Sequence, residues 1–186
     1  MAKKKEFIQE KLHWIWGHIM GIISLILVVA VFGGAYFFII APNMVSKPFM
    51  EFPFFSADAL AKIKAGNEVI NASHINYVIN ELGAYKLNKP IFTKNYPIME
   101  FVLTDIGKMY YSYVDKHMPV TEKGNPKNPD ISIRASQETV YNTLKSDDVK
   151  DFVKKSVEDG TIKFNLTADM TTLARKGYLS LYNTIT

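Results

Sequence analysis

The sequence predicts a membrane-anchored α+β protein: one N-terminal transmembrane helix, then a single α+β domain with a mostly antiparallel sheet and a C-terminal helix. Three observations predict it. Residues 14–41, WIWGHIMGIISLILVVAVFGGAYFFIIA, contain no Asp, Glu, Lys or Arg. The chain after this run alternates between apolar stripes at helical spacing and runs of period two, the signatures of helices and strands. Gly, Asn, Asp and Ser stand at the places where those runs begin and end, where caps and turns require them.

The apolar run organises the rest. About 20 such residues cross a hydrocarbon core as a helix, the form that satisfies every backbone group without water. Trp14 and Trp16 at one end and Tyr36 to Phe38 at the other stand where aromatic side chains favour the membrane interface. A secretory signal peptide has a shorter apolar core, of about 7–15 residues, so a retained span is expected rather than a cleaved one. The tail 1–13 holds Lys3, Lys4, Lys5 and Lys11 against Glu6 and Glu10, half of the net +4. Cytoplasmic flanks carry the excess of Lys and Arg, which predicts a cell-membrane protein with its N-terminus cytoplasmic and its C-terminal domain extracytoplasmic. The expected organisation is a basic tail 1–13, a transmembrane helix 14–41, a Pro/Phe-rich linker 42–55 and an α+β domain 56–186. Within the span, Gly17 and Gly21 form a small-xxx-small pattern that would let a second helix approach closely. His18 follows His13 by five residues; that spacing does not put them on one helix face, so they read as interfacial polar residues rather than ligands.

In the linker, Pro42, Pro48 and Pro53 favour extended backbone, and Phe49, Phe52, Phe54 and Phe55 make it apolar. It either lies on the membrane surface or docks on the domain's core. Ser56 caps an expected helix over 57–65 that stops at Gly66. Asn71 or Ser73 starts another over 74–82, with Ile75, Val78, Ile79 and Leu82 as its buried stripe, His74 off it, and Gly83 as its stop. The alternation in 98–104 predicts a strand with Met99, Phe101 and Leu103 on one face. Asp105-Ile106-Gly107 turns the chain into a second strand over 108–115. The stretch 119–129, PVTEKGNPKNP, reads as a polar loop. A strand is expected at 130–135, then a helix over 137–145 capped by Ser136, and another opened by Ser146-Asp147-Asp148. That helix carries Val149, Phe152, Val153 and Val157 on one side and ends at Gly160. A strand over 161–167 turns Ile162, Phe164 and Leu166 one way. Asp169 caps one final helix to Ile185, with Leu173, Gly177 and Leu181 on its buried side.

The chemical inventory is thin. Cysteine is absent, which excludes disulfides and thiolate sites. There is no phosphate-binding Gly loop, no His-x-x-x-His and no nucleophile–base–acid set, so neither catalysis, a metal nor a cofactor is expected. Asp147-Asp148 is explained by the helix start that its charge favours, and His117 has no partner at ligand spacing. The basic residues of the large domain form no stripe with interleaved aromatics, so nucleic acid is not an expected partner. Asn71 and Asn165 sit in glycosylation sequons, which chance alone supplies in a chain this rich in Asn, Ser and Thr.

From about Ile98 onward the order of elements resembles the sterol-carrier-protein-2 (SCP2) fold. PDISIRAS at 129–136 and SDDVKDFVKKSVEDGTIKFNL at 146–166 carry the resemblance. In that family a helix bearing an aromatic leads to a Gly and then an alternating strand; Phe152, Gly160 and Ile162-Lys163-Phe164 stand in those places. The family follows that strand with Gly and a polar residue, where this chain has Thr167-Ala168-Asp169. Many family domains are intracellular, whereas the Lys distribution here points outside. The resemblance implies an apolar ligand tunnel, with Phe152, Ile162, Phe164, Leu173 and Leu181 as its lining; the competing assignment is that these residues fill a solid core. Two functions follow as expectations: a non-enzymatic domain that binds a lipid or other apolar ligand beside the bilayer, or an accessory or scaffold subunit of a larger membrane complex, with a membrane-protein partner or a second copy of the chain.

Overall fold

A computed structural model describes residues 2–36, 45–89 and 95–185, with side chains among them except at 2–15, 17, 35 and 184. The chain divides into two compact units, 1–41 and 42–186.

Among its described residues the first unit is one helix, α1 (Ala2–Ala35). Its large apolar side chains from Ile19 to Phe32 are 43–71% exposed, and they fall on every side of the helix rather than on one stripe. The expected span 14–41 runs beyond the described residues at 37–41. Among the described residues no helix is long and apolar enough to cross a membrane. Of the expected helix-contact pair, Gly21 has no atom within 4 Å of where a Cβ would stand, and the surroundings of Gly17 lie outside the described residues.

The second unit is a mixed α+β domain. Its helices are α2 (Ala59–Lys64), α3 (Ala72–Glu81), α4 (Gln137–Lys145), α5 (Val149–Glu158), α6 (Met170–Lys176) and α7 (Tyr178–Ile185). Its strands are β1 (Ile98–Leu103), β2 (Lys108–Asp115), β3 (Met118–Lys123), β4 (Ile131–Ala135) and β5 (Lys163–Leu166). They form one sheet in the order β3-β2-β1-β4-β5, antiparallel except for the central β1–β4 pair. The chain leaves β1 through the β2–β3 meander, and residues 124–130 carry it back across so that β4 enters parallel to β1. Met99, Phe101 and Leu103 of β1, Tyr110 and Val114 of β2, and Ile131 and Ile133 of β4 form one core with the α3 stripe Ile75, Val78 and Ile79. Each large apolar side chain buried this way contributes roughly 1.5–3 kcal/mol relative to exposure.

Most termini obey local chemistry. Asn71 caps α3, accepting from the backbone N–H groups of Ser73 and His74. Ser136, Asp148 and Asp169 each accept a first-turn N–H of their helices. Three expectations are corrected. The loop expected at 119–129 begins as strand β3: Pro119 sits opposite Val114 in an edge strand, where its missing N–H costs no ladder bond on the open side. The helix expected to run unbroken from Asp169 to Ile185 is two helices, parted at Gly177, whose φ of 86° is left-handed. Asp58, not Ser56, occupies the N-cap position of α2. Phe164 and Leu166 share a face of β5 as expected, opposite Ile133 and Ile131, and Leu166 stands 45% exposed at the end of that face.

Candidate functional site

Three places in the domain concentrate unusual chemistry. The first is the apolar interior where the ligand tunnel was expected. Ile162, Leu173 and Leu181 are buried, while Phe152 and Phe164 are half-buried. Ile162 and Phe164 line one gap with Ile79, Phe101, Ile133 and Val153. That gap holds about 20 Å³, room for one water rather than an acyl chain. Leu181 borders a separate gap of similar size near Gly83 and Lys150. The five expected lining residues therefore do not converge on one cavity in this conformation.

The second is a ribbon over 45–55. It runs antiparallel to α3 and is pinned along it at successive turns. Lys47 pairs with Glu81 at 2.5 Å, Asn80 Nδ2 donates to the Pro48 carbonyl at 3.2 Å, and Asn76 Nδ2 reaches Met50 Sδ at 3.6 Å. Phe52 meets Tyr77 edge-on at 5.2 Å. Phe55 stacks on His74 at 4.5 Å and meets Tyr141 at 4.8 Å. Because these contacts hold one side of the ribbon inward, the alternate residues Phe49 and Phe54 are turned out and are 92% and 89% exposed.

His74, placed off the stripe by sequence, is buried because the ribbon covers it. Its Nδ1 lies 2.7 Å from Asn71 Oδ1 and 3.3 Å from the Asn71 N–H. One tautomer lets Nδ1 donate to Asn71 Oδ1 and the other lets it accept from the Asn71 N–H; among the described residues Nε2 has no hydrogen-bond partner. Burial pulls its pKa below the ordinary 6.5, and the nearby Phe54 carbonyl offsets part of this without forming a bond of normal geometry. A depressed histidine pKa means that the unfolded chain takes up the proton first. Stability is therefore full above about pH 6.5 and falls as the pH drops toward the lowered value. Between pH 6.5 and 5 the near-ultraviolet tyrosine signal should show a falling urea midpoint. His74→Gln should flatten that slope, and an unchanged slope would remove His74 as its source.

The third is a polar junction at the start of β4. Asp130 and Lys176 are 4% and 6% exposed. Lys176 Nζ donates to Asp130 Oδ1 at 2.7 Å, to Oδ2 at 2.8 Å and to the Tyr96 carbonyl at 2.8 Å. Asp130 also accepts from the Ile98 N–H at 2.8 Å and the Tyr178 hydroxyl at 3.1 Å. Burial, and then the Asp130 charge, push the Tyr178 hydroxyl pKa well up. The Asp130 carbonyl accepts from the Thr167 and Ala168 N–H groups. Every donor on Lys176 is thus engaged, which suits a structural clamp and leaves no free amine for covalent chemistry. The sequence offered one sign of it, an Asp leading an alternating strand; Lys176, two turns along a helix, gave none. Among the described residues, no group of three His, Cys, Asp or Glu side chains is arranged to hold a metal.

No protein-family model matches the chain, and no curated protein matches it. Solved structures that overlap it include the SCP2 protein of ubiquinone synthesis, UbiJ, at 8% identity and a TM-score of 0.33, covering 60% of this chain and 80% of that one. Another is palmitated SCP2L2 from Aedes aegypti, at 19% identity and 0.35, covering 54% and 87%. The inverting sec-alkylsulfatase Pisa1 from Pseudomonas sp. overlaps at 17% identity and 0.31, over 45% of this chain, which spans 13% of the alkylsulfatase's length. Overlaps this loose transfer nothing to this chain. What stands is the coarser statement, a mixed α+β domain with a five-stranded sheet.

Proposed function

We propose that this chain is a single-pass, membrane-tethered, non-enzymatic protein whose extracytoplasmic α+β domain binds lipid at the bilayer surface. The observation that carries it is the outward-turned pair Phe49 and Phe54, held almost fully exposed on a pinned ribbon within about 15 residues of an uncharged apolar run. Apolar side chains left in water on a fixed backbone are a cost unless something covers them. Immersing two phenylalanines would recover roughly 3–6 kcal/mol. An α1 that is apolar on all sides supports the tether, since such a helix is stable inside a protein or inside lipid. The small interior gap argues that lipid is met at the ribbon, and that any ligand taken between helices and sheet needs the helices to part.

An accessory subunit is the second reading, favoured by the same exposed pair, which a partner protein would equally cover. A photoreactive acyl lipid in vesicles carrying the full chain separates the two. Labelling at 49–54 in addition to the span is the expected result; labelling confined to the span would overturn lipid binding by the domain and leave the accessory reading. Labelling around Ile162 and Phe164 would show that the interior opens.

A further inference from the structure

We propose that the cleft between the start of the sheet and α6 binds a phosphate-class anion. It encloses about 640 Å³, against about 20 Å³ for each of the two gaps near Ile162 and Leu181. Its floor is the Asp130–Lys176 clamp, and its walls include Asn95, Tyr96, Lys127, Asn128, Thr172 and Arg175. Among the described residues, Asp130 is the one carboxylate lining it, and that carboxylate is already taken up by Lys176, Tyr178 and Ile98. Asp169, near the wall, is held by the Thr172 N–H at 2.9 Å and hydroxyl at 2.7 Å.

The cations are not so engaged. Lys127 and Arg175 are exposed, approach from a loop and from a helix, and among the described residues neither is shown in an ion pair or hydrogen bond. Lys89 adds a third charge, its Nζ 4.4 Å from the centre of the Tyr96 ring in the cleft wall. No Asp or Glu occurs in the sequence between Glu81 and Glu100, so the segment beside the cleft brings no compensating charge. Two cations with no partner among the described residues, facing one concave space with the side-chain amides of Asn95 and Asn128 in its wall, are the donor set for a tetrahedral oxyanion. The arginine fork matches such an oxyanion in two contacts at once. A phosphate borne by a lipid headgroup and one borne by a soluble molecule present the same chemistry here. The assignment does not rest on the lipid-surface reading.

The test uses the full chain in phosphatidylcholine vesicles, with hydrogen exchange followed at 95–98 and 167–176. One arm titrates inorganic phosphate against chloride at matched ionic strength. The other replaces part of the lipid by phosphatidylglycerol. Saturable protection by phosphate assigns a soluble anion, and protection with phosphatidylglycerol alone assigns a headgroup; either supports the site. In Lys127→Gln/Arg175→Gln the half-saturating concentration should rise roughly tenfold or more, the scale of losing a charge-assisted contact. Lys64→Gln/Lys154→Gln, which removes the same charge elsewhere, should not change it. Absence of protection in both arms, or equal weakening by the two variants, overturns the proposal.

Discussion

Lys176→Met should be the most damaging single substitution in the domain. It keeps an unbranched stem, one atom shorter, but leaves Asp130, 4% exposed, as a buried carboxylate without its cation. Removing one partner of a buried pair costs about 3–5 kcal/mol, more than the pair itself is worth. The Tyr96 carbonyl loses its donor as well. Urea unfolding followed by the tyrosine near-ultraviolet signal reads this domain cleanly, since the chain has ten tyrosines and only Tyr36 precedes it. A loss of about 3 kcal/mol or more is expected. Asp130→Asn/Lys176→Met should recover part of it, because the Asn oxygen still accepts from the Ile98 N–H with no charge left behind. A double variant as unstable as the single would show that packing, not charge, sets the cost.

Gln137→Leu should rank second. Gln137 is wholly buried and ties a distant loop to the first turn of α4. Its Oε1 accepts from the Val69 and Ile70 N–H groups at 2.8 and 3.0 Å, and its Nε2 donates to the Asn67 carbonyl at 2.9 Å. Leucine fills the volume but leaves those backbone groups unpaired, at about 1–3 kcal/mol for each that stays dry. A loss of roughly 3 kcal/mol is expected in the same urea experiment, with hydrogen exchange at Val69 and Ile70 rising beyond what the global loss explains. Unchanged exchange there would mean that water has replaced the glutamine.

Those two clamps mark the boundary of what was readable. Alternation in 98–103, 108–115 and 131–135 named the central strands and their buried faces, because period two has one physical cause, a sheet with one side packed. Asn71, Ser136, Asp148 and Asp169 announced helix starts, because capping is local. What failed was decided elsewhere in the chain. Pro119 reads as a loop residue unless it is known to fall on an outer strand. Gly177 fits a buried stripe, and the left-handed φ of 86° that parts the two helices there leaves no mark on that stripe. The sequence places Gln137 at the start of a helix and no more, since nothing local says that Asn67 to Ile70 return to it. Within the candidate site the apolar ribbon was legible from its phenylalanines. The cleft was not, because Lys127 and Arg175 stand 48 positions apart, as their numbering shows.

The outermost strands of the sheet carry a further consequence. On one side lies β3, with Pro119 and Lys123; on the other β5, four residues long with Lys163 at its start. Copies confined to the same surface would collide far more often than in free solution, and an open strand is the usual seed of unwanted polymer growth. A missing donor, two ammonium groups and a short run deny such growth a template. Crowding would then leave individual domains separate, even though each displays unpaired backbone along two rims.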